Sequence, residues 1–120
     1  MFVRNLKDCA EFTAGDATRL RELFNPLKDN LALRYSLAHA TVAPGRTSLL
    51  HRLKTSEVYY ILEGEGEMRI DGESSKVGPG DAVYIPPGAA QQITNTGSGD
   101  LVFICIVDPA WKAEDEEILE

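Results

Sequence analysis

Two stretches of this 120-residue chain place side chains that can do chemistry at regular intervals. The first runs from Gly45 to Gly64 and carries His51, Leu53 and Glu57; the second runs from Gly80 to Asn95 and carries Pro86, Gly88 and Gln91. Residues two apart on a strand point the same way, so positions 51 and 53 share a face. If that face is the interior of a barrel, Glu57 joins it from the next strand and Gln91 from a later one. An imidazole and a carboxylate so placed can act as a general acid–base pair, with Glu57 orienting the ring. They can equally form a buried hydrogen-bonded pair that satisfies itself, with Gln91 bonding to them or to a ligand. Tyr59, Tyr60 and Tyr84 read as strand packing, with the alternative that Tyr59, in phase with Glu57, presents its hydroxyl to the same pocket. Arg52 and Lys54 alternate with His51 and Leu53 and should be solvated.

Side chains spaced in this way need strands to hold them. From residue 31 onward, short β-prone runs alternate with turn signals. Leu31 to Val42 ends at Pro44-Gly45, Thr47 to Leu53 follows, and Val58 to Leu62 closes at Gly64-Glu65-Gly66. Met68 to Ile70 meets Asp71-Gly72, a two-residue hairpin signal. Ala82 to Ile85 runs into Pro86-Pro87-Gly88, a stiff corner that places residue 91 at the start of its strand. Gln91 to Thr94 reaches a turn-rich segment, and Leu101 to Val107 is a strongly β-branched strand stopped by Asp108-Pro109. Such spacing predicts one all-β sandwich or barrel. Residues 17–27 fit either a helix, with Leu20, Leu23, Phe24 and Leu27 on one face, or an extended arm; Pro26 and the β-rich context favour the arm. The reading is an N-terminal arm over 1–30, a barrel over 31–108 and an acidic tail over 109–120. The tail reads as a solvated end or a short final helix, with Trp111 stapling it to the barrel.

The spacing of Gly45, His51, Leu53, Glu57 and Gly64, followed by Gly80, Pro86, Gly88, Gln91 and Asn95, resembles the paired signature motifs of the cupin superfamily. The likeness covers residues 45–95 directly, and strand spacing extends it to about residue 108. It implies a jelly-roll-like barrel, commonly a homodimer, often with a divalent metal near the barrel centre. The positions that carry metal ligands in the family are here His51, Leu53, Glu57 and Gln91. The family's usual set is three histidines and one glutamate, and this chain holds only His39 and His51. Leu53 supplies no donor, and an amide such as Gln91 is a weak ligand for most transition metals. The expected cofactor is at most one weakly bound zinc, manganese or nickel ion on His51, Glu57 and Gln91. Cys105 lies on a strand that lines the barrel in similar proteins; it is either an additional thiolate ligand or a buried core cysteine. His39 alternates with Ala38 and Ala40, and if those small residues face the pocket it faces outward.

Composition removes several function classes. Glu114, Asp115, Glu116, Glu117 and Glu120 supply most of a net charge of −7, leaving a nearly neutral body without the clustered bases that nucleic acid or an anionic membrane requires. No apolar run is long enough to span a bilayer, and the Met1-Phe2-Val3-Arg4-Asn5 start lacks the apolar core of a secretion signal. Two cysteines make no disulfide framework, which points to a cytoplasmic protein with reduced thiols. Three readings follow: a small-molecule-binding barrel with a reduced metal site, a metal-free binding module whose small, largely apolar ligand is oriented by His51, Glu57 and Gln91 in a pocket with Leu53, Tyr59 and Cys105, or a dimeric structural or regulatory domain with a vestigial pocket.

Overall fold

Alternation decides which side chains meet in the middle. In strand β3 (Ser36–Val42), Ser36, Ala38, Ala40 and Val42 are buried and Leu37, His39 and Thr41 face the other way. In β5 (Ser56–Glu63), Glu57, Tyr59 and Ile61 are buried while Tyr60 and Leu62 are exposed. In β10 (Leu101–Asp108), Leu101, Phe103, Cys105 and Val107 point inward. The computed structural model describes all 120 residues and adds eight further strands. They are β1 (Phe12–Thr13), β2 (Arg19–Phe24), β4 (His51–Leu53), β6 (Gly66–Ile70), β7 (Glu73–Val77), β8 (Ala82–Ile85), β9 (Gln91–Asn95) and β11 (Glu116–Ile118). One sheet has the order β1-β2-β3-β10-β5-β8 and the other β11-β4-β9-β6-β7, with every pairing antiparallel.

The two sheets face each other as an all-β, jelly-roll-like barrel that hydrogen bonds do not close. Ile61, Ile93, Leu101 and Phe103 are completely buried between them, and each contributes about 1.5–3 kcal/mol through removal of its apolar surface from water. At one end this core is apolar throughout. At the other it gives way to polar groups around His51 and Glu57.

The turns behave as their residues dictate. Ile70 pairs with Glu73 across a two-residue loop in which Asp71 (φ 48°) and Gly72 (φ 84°) are both left-handed, the geometry that matches strand twist. Gly64 (φ 85°) has no room for a side chain, because a Cβ would stand 2.5 Å from the Asp100 carbonyl oxygen. Asn95 is 2% exposed; its amide donates to the carbonyls of Val42 and Gly99, and its oxygen accepts from the Gly97 amide, tying the β9–β10 turn to β3. The Pro86-Pro87-Gly88 corner is pinned where the Gly88 amide donates to the Leu53 carbonyl at 2.7 Å, and three residues later Gln91 stands opposite His51.

Two segments differ from their sequence reading. Residues 19–24 are extended, as expected of an arm, but β2 pairs with β3 of its own chain and is part of the sheet. The acidic end is neither a solvated tail nor a helix beyond one 3₁₀ turn at Ala113–Asp115. Residues 116–118 instead form β11 along the edge of β4, where Arg52 pairs with Glu117 at 2.7 Å and the Leu119 amide donates to the Leu50 carbonyl. The free edge of β4 offers unpaired backbone groups, and the tail satisfies them. Asn25, completely buried, links the two ends of the chain by donating to the Trp111 carbonyl at 3.0 Å. Trp111 thus staples the tail, with its own amide donating to Ser36 Oγ. The run expected from Leu31 becomes a strand only at Ser36, and Thr47 makes an isolated bridge to Thr94 before β4 begins at His51.

Candidate small-molecule site

A cavity of about 220 Å³ lies at the polar end of the barrel, between β4 and β11 on one side and β3, β5 and β10 on the other. Its inner wall is Leu53, Ala38, Tyr59, Phe103 and Cys105, and the β1–β2 segment and Trp111 complete its rim. Of the residues singled out by spacing, His51, Leu53, Glu57, Tyr59 and Cys105 all line it. Gln91 does not. It sits behind Glu57, completely enclosed.

His51 is 2% exposed and its Nδ1 lies 2.7 Å from the Leu49 carbonyl. A carbonyl can only accept, so Nδ1 carries a proton and donates it. Nε2 is left facing Asp16 Oδ2 at 3.5 Å. No hydrogen bond joins His51 to Glu57; the carboxylate beside the ring is Asp16, from the loop between β1 and β2. Asp16 is held in place on two sides. Its Oδ1 accepts from the Thr18 amide and hydroxyl at 3.1 and 2.7 Å, and its carbonyl accepts from the Leu49 amide at 2.7 Å. Gly15-Asp16-Ala17-Thr18 signals a turn in the sequence, but nothing in the sequence announces that this turn closes over a histidine 35 residues on.

Glu57 belongs to a second chain of hydrogen bonds. Tyr59 donates from its hydroxyl to Gln91 Oε1 at 3.0 Å, and Gln91 Nε2 donates to Glu57 Oε1 at 2.9 Å. Burial pushes the Glu57 carboxyl up to about 8; the Gln91 bond opposes this, and the nearby Asp16 and Glu116 carboxylates add to it. Near neutral pH the group is therefore largely protonated, with the proton on the oxygen that Gln91 leaves free. Burial likewise raises the Tyr59 hydroxyl and the Cys105 thiol, so Cys105 is a neutral thiol in a nonpolar wall rather than a nucleophilic thiolate. Glu116, half-buried on β11, is raised by burial and by Asp16, while His51 and Trp111 pull it back. Asp16 and Glu116 were absent from the sequence reading because they come from the segments read as arm and tail.

The arrangement can exchange a proton between Asp16 and His51 Nε2, and it can donate or accept a hydrogen bond at Glu57. It does not fit the divalent centre expected of the family. No three His, Cys, Asp or Glu side chains converge closely enough to hold an ion. Leu53 offers no donor, both ends of the Gln91 amide are engaged, and a protonated Glu57 is a poor ligand. His39 lies on the outward face of β3, between Arg21 and Ile104, and takes no part.

Comparison with known proteins agrees with this architecture. Residues 38–107 match the Cupin domain family. An uncharacterized protein of Methanocaldococcus jannaschii is 44% identical over 112 residues, covering 91% of this chain and 87% of its own length. The oxalate-binding protein of Thermotoga maritima is 34% identical over 71 residues, covering 58% of this chain and 59% of that protein. Among solved structures, a Cupin 2 conserved barrel domain protein from Salinispora arenicola superposes with a TM-score of 0.78 at 24% identity, covering 95% of this chain and 91% of that one. With its motif spacing, its two-sheet barrel and these matches in agreement, the chain belongs to the cupin family of conserved-barrel proteins.

Proposed function

We propose that this cupin binds a small organic molecule in the cavity beneath Asp16 and Trp111, and that hydrogen bonds rather than a resident metal read the ligand. The observation that carries the reading is the commitment of the family's ligand positions to other partners. His51 Nδ1 is spent on Leu49, Gln91 bridges Tyr59 and Glu57, and Leu53 is wall. What remains open to the cavity is His51 Nε2 with Asp16, the free oxygen of Glu57 and an apolar surface, which together suit a small ligand with a few directed polar groups. The volume is below the roughly 300–1,000 Å³ of common ligand pockets, so the ligand is small. The alternative is a weak zinc, manganese or nickel centre on His51, Glu57 and Gln91.

Elemental analysis of untagged protein, repeated after dialysis against each metal and on His51→Ala, separates the two. The proposal expects metal well below one equivalent in both proteins. Near-stoichiometric metal that vanishes in His51→Ala would overturn it in favour of the metal centre.

We also propose that the working form is a homodimer inside the cell. The support is the outer face of the six-stranded sheet, where Val58, Ile104 and Ile106 are only half-buried and Tyr60, Leu62 and Tyr84 are exposed. β10 is apolar on both faces, the pattern of a strand covered on both sides. No helix is long and apolar enough to cross a membrane, and neither Cys9 nor Cys105 is in a disulfide.

A further inference from the structure

Acidic side chains dominate the polar lining of the cavity. Asp16, Glu22, Glu57 and Glu116 line it, and no lysine or arginine does. Glu22 is already compensated, since Lys28 stands 2.8 Å from one oxygen and Asn25 donates to the other. The remaining three carboxyl groups come from three different elements: the β1–β2 loop, β5 and β11. The only basic neighbour is His51, which stands 3.5 Å from Asp16 and also acts on Glu116. Elsewhere in the chain, acids at comparable depth have dedicated partners. Asp29, for example, is held by the Arg4 guanidinium at 3.1 Å.

Two buried polar groups are also left open toward the same space. Glu57 is 6% exposed; its Oε1 accepts from Gln91, and its other oxygen has no partner in the protein. Cys105 is 7% exposed and its thiol makes no hydrogen bond. The Asp16 carboxylate also faces the half-buried Glu116 and makes its ionisation harder. A cationic donor arriving from outside relieves that repulsion and gives both acids a partner. The rest of the wall fixes what carries that charge. Phe12, Tyr59, Phe103 and Trp111 present aromatic surface, which accommodates a cation on its face and an apolar body along its side. A bare metal ion is poorly matched, because the carboxyl groups do not converge on one point.

Building on the small-molecule reading above, we propose that the ligand is a small organic cation, an ammonium on an apolar or aromatic body, with the ammonium seated between Asp16 and Glu116 beside the neutral Glu57 carboxyl. The charge preference is opposite to what an oxalate-binding relative would suggest, and it is specific to residues contributed by the two ends of this chain.

Titration calorimetry with three probes of one shape and different charge tests the inference: phenethylamine, phenethyl alcohol and hydrocinnamate. The amine is expected to bind at least about tenfold more tightly than the alcohol, and the carboxylate to give no heat, a difference of about 1.4 kcal/mol or more. Glu116→Gln should bring the amine within about threefold of the alcohol while leaving the alcohol unchanged. Asp16→Asn provides the same test should Glu116→Gln fail to fold by circular dichroism. Alcohol or carboxylate binding as tight as the amine would overturn the cation inference and leave the small-molecule reading standing. Binding of none of the three would overturn both. Stoichiometric zinc or manganese binding that displaces the amine and requires Glu57 would replace the ammonium with a metal.

Discussion

His51 and Glu57 lie in one pocket yet serve separate networks, and the difference is set by which atoms their neighbours occupy. The Leu49 carbonyl takes the Nδ1 proton, which turns Nε2 toward Asp16; the Gln91 amide takes one oxygen of Glu57 and leaves the other to the cavity. Burial then holds Glu57 in its neutral form, with a value near 8 against an ordinary 4.5. Between those two values the folded protein keeps a proton that the unfolded chain has released, so this group makes stability fall as pH rises through the window. Below the window both states are protonated, and above it both are ionised. Glu57→Gln keeps the acceptor for Gln91 and removes the ionisation. Relative to the variant, the native protein should lose up to about 1.4 kcal/mol per pH unit across this range. Urea midpoints of the two proteins measured at several pH values between 5 and 8.5 check this, and parallel curves would contradict it.

At the scale of elements, the pocket is assembled from strands placed by the interior and closed by segments from the two ends of the chain. β4 and β9 set His51 opposite Gln91, and β5 and β10 set Tyr59 opposite Cys105. Alternation and the Pro86-Pro87-Gly88 corner set the phase of these residues, and the resemblance to the cupin motifs, not spacing alone, singled them out as one site. The β1–β2 loop and β11 could not be read from either. Their residues face inward only because backbone groups of β4 and of residue 49 are free to bond them, and such long-range pairing leaves no local pattern. A chain ending at Lys112 loses β11, the Arg52–Glu117 pair and the Glu116 side of the cavity. It is expected to fold, to lose about 1–3 kcal/mol, and to bind the amine probe more weakly than the full chain. Urea denaturation and calorimetry on the truncated protein measure both. Unchanged binding would show that β11 is not part of the pocket.

For the whole molecule, the barrel's inner and outer faces make different demands. The inner face is buried around the core and the cavity, while the outer face of the six-stranded sheet leaves Tyr60 46% and Tyr84 63% exposed around half-buried Ile104 and Ile106. β10 lacks the polar alternation of a solvated strand, which is the observation behind the proposed second copy on this face. Sedimentation at micromolar concentration should give twice the chain mass, and Ile104→Lys should give one chain mass without loss of the fold, because burying an unpaired charge at an interface costs about 3–5 kcal/mol. A monomeric native protein would remove the dimer from this account.

The strand segments between residues 36 and 107, the Asp71-Gly72 hairpin, the shared phase of His51 and Leu53 and of Glu57 and Tyr59, and the lack of enough histidines for a three-histidine centre were all determined by sequence, because each depends on local periodicity, turn chemistry or a count. Tertiary structure decided which carboxylate accompanies His51, what Gln91 does, and that the acidic end of the chain is a strand. It also decided the sign of charge in the cavity. Those outcomes depend on which buried donors and acceptors are left unpaired once the strands have packed, and that is known only when residues far apart in the chain have met.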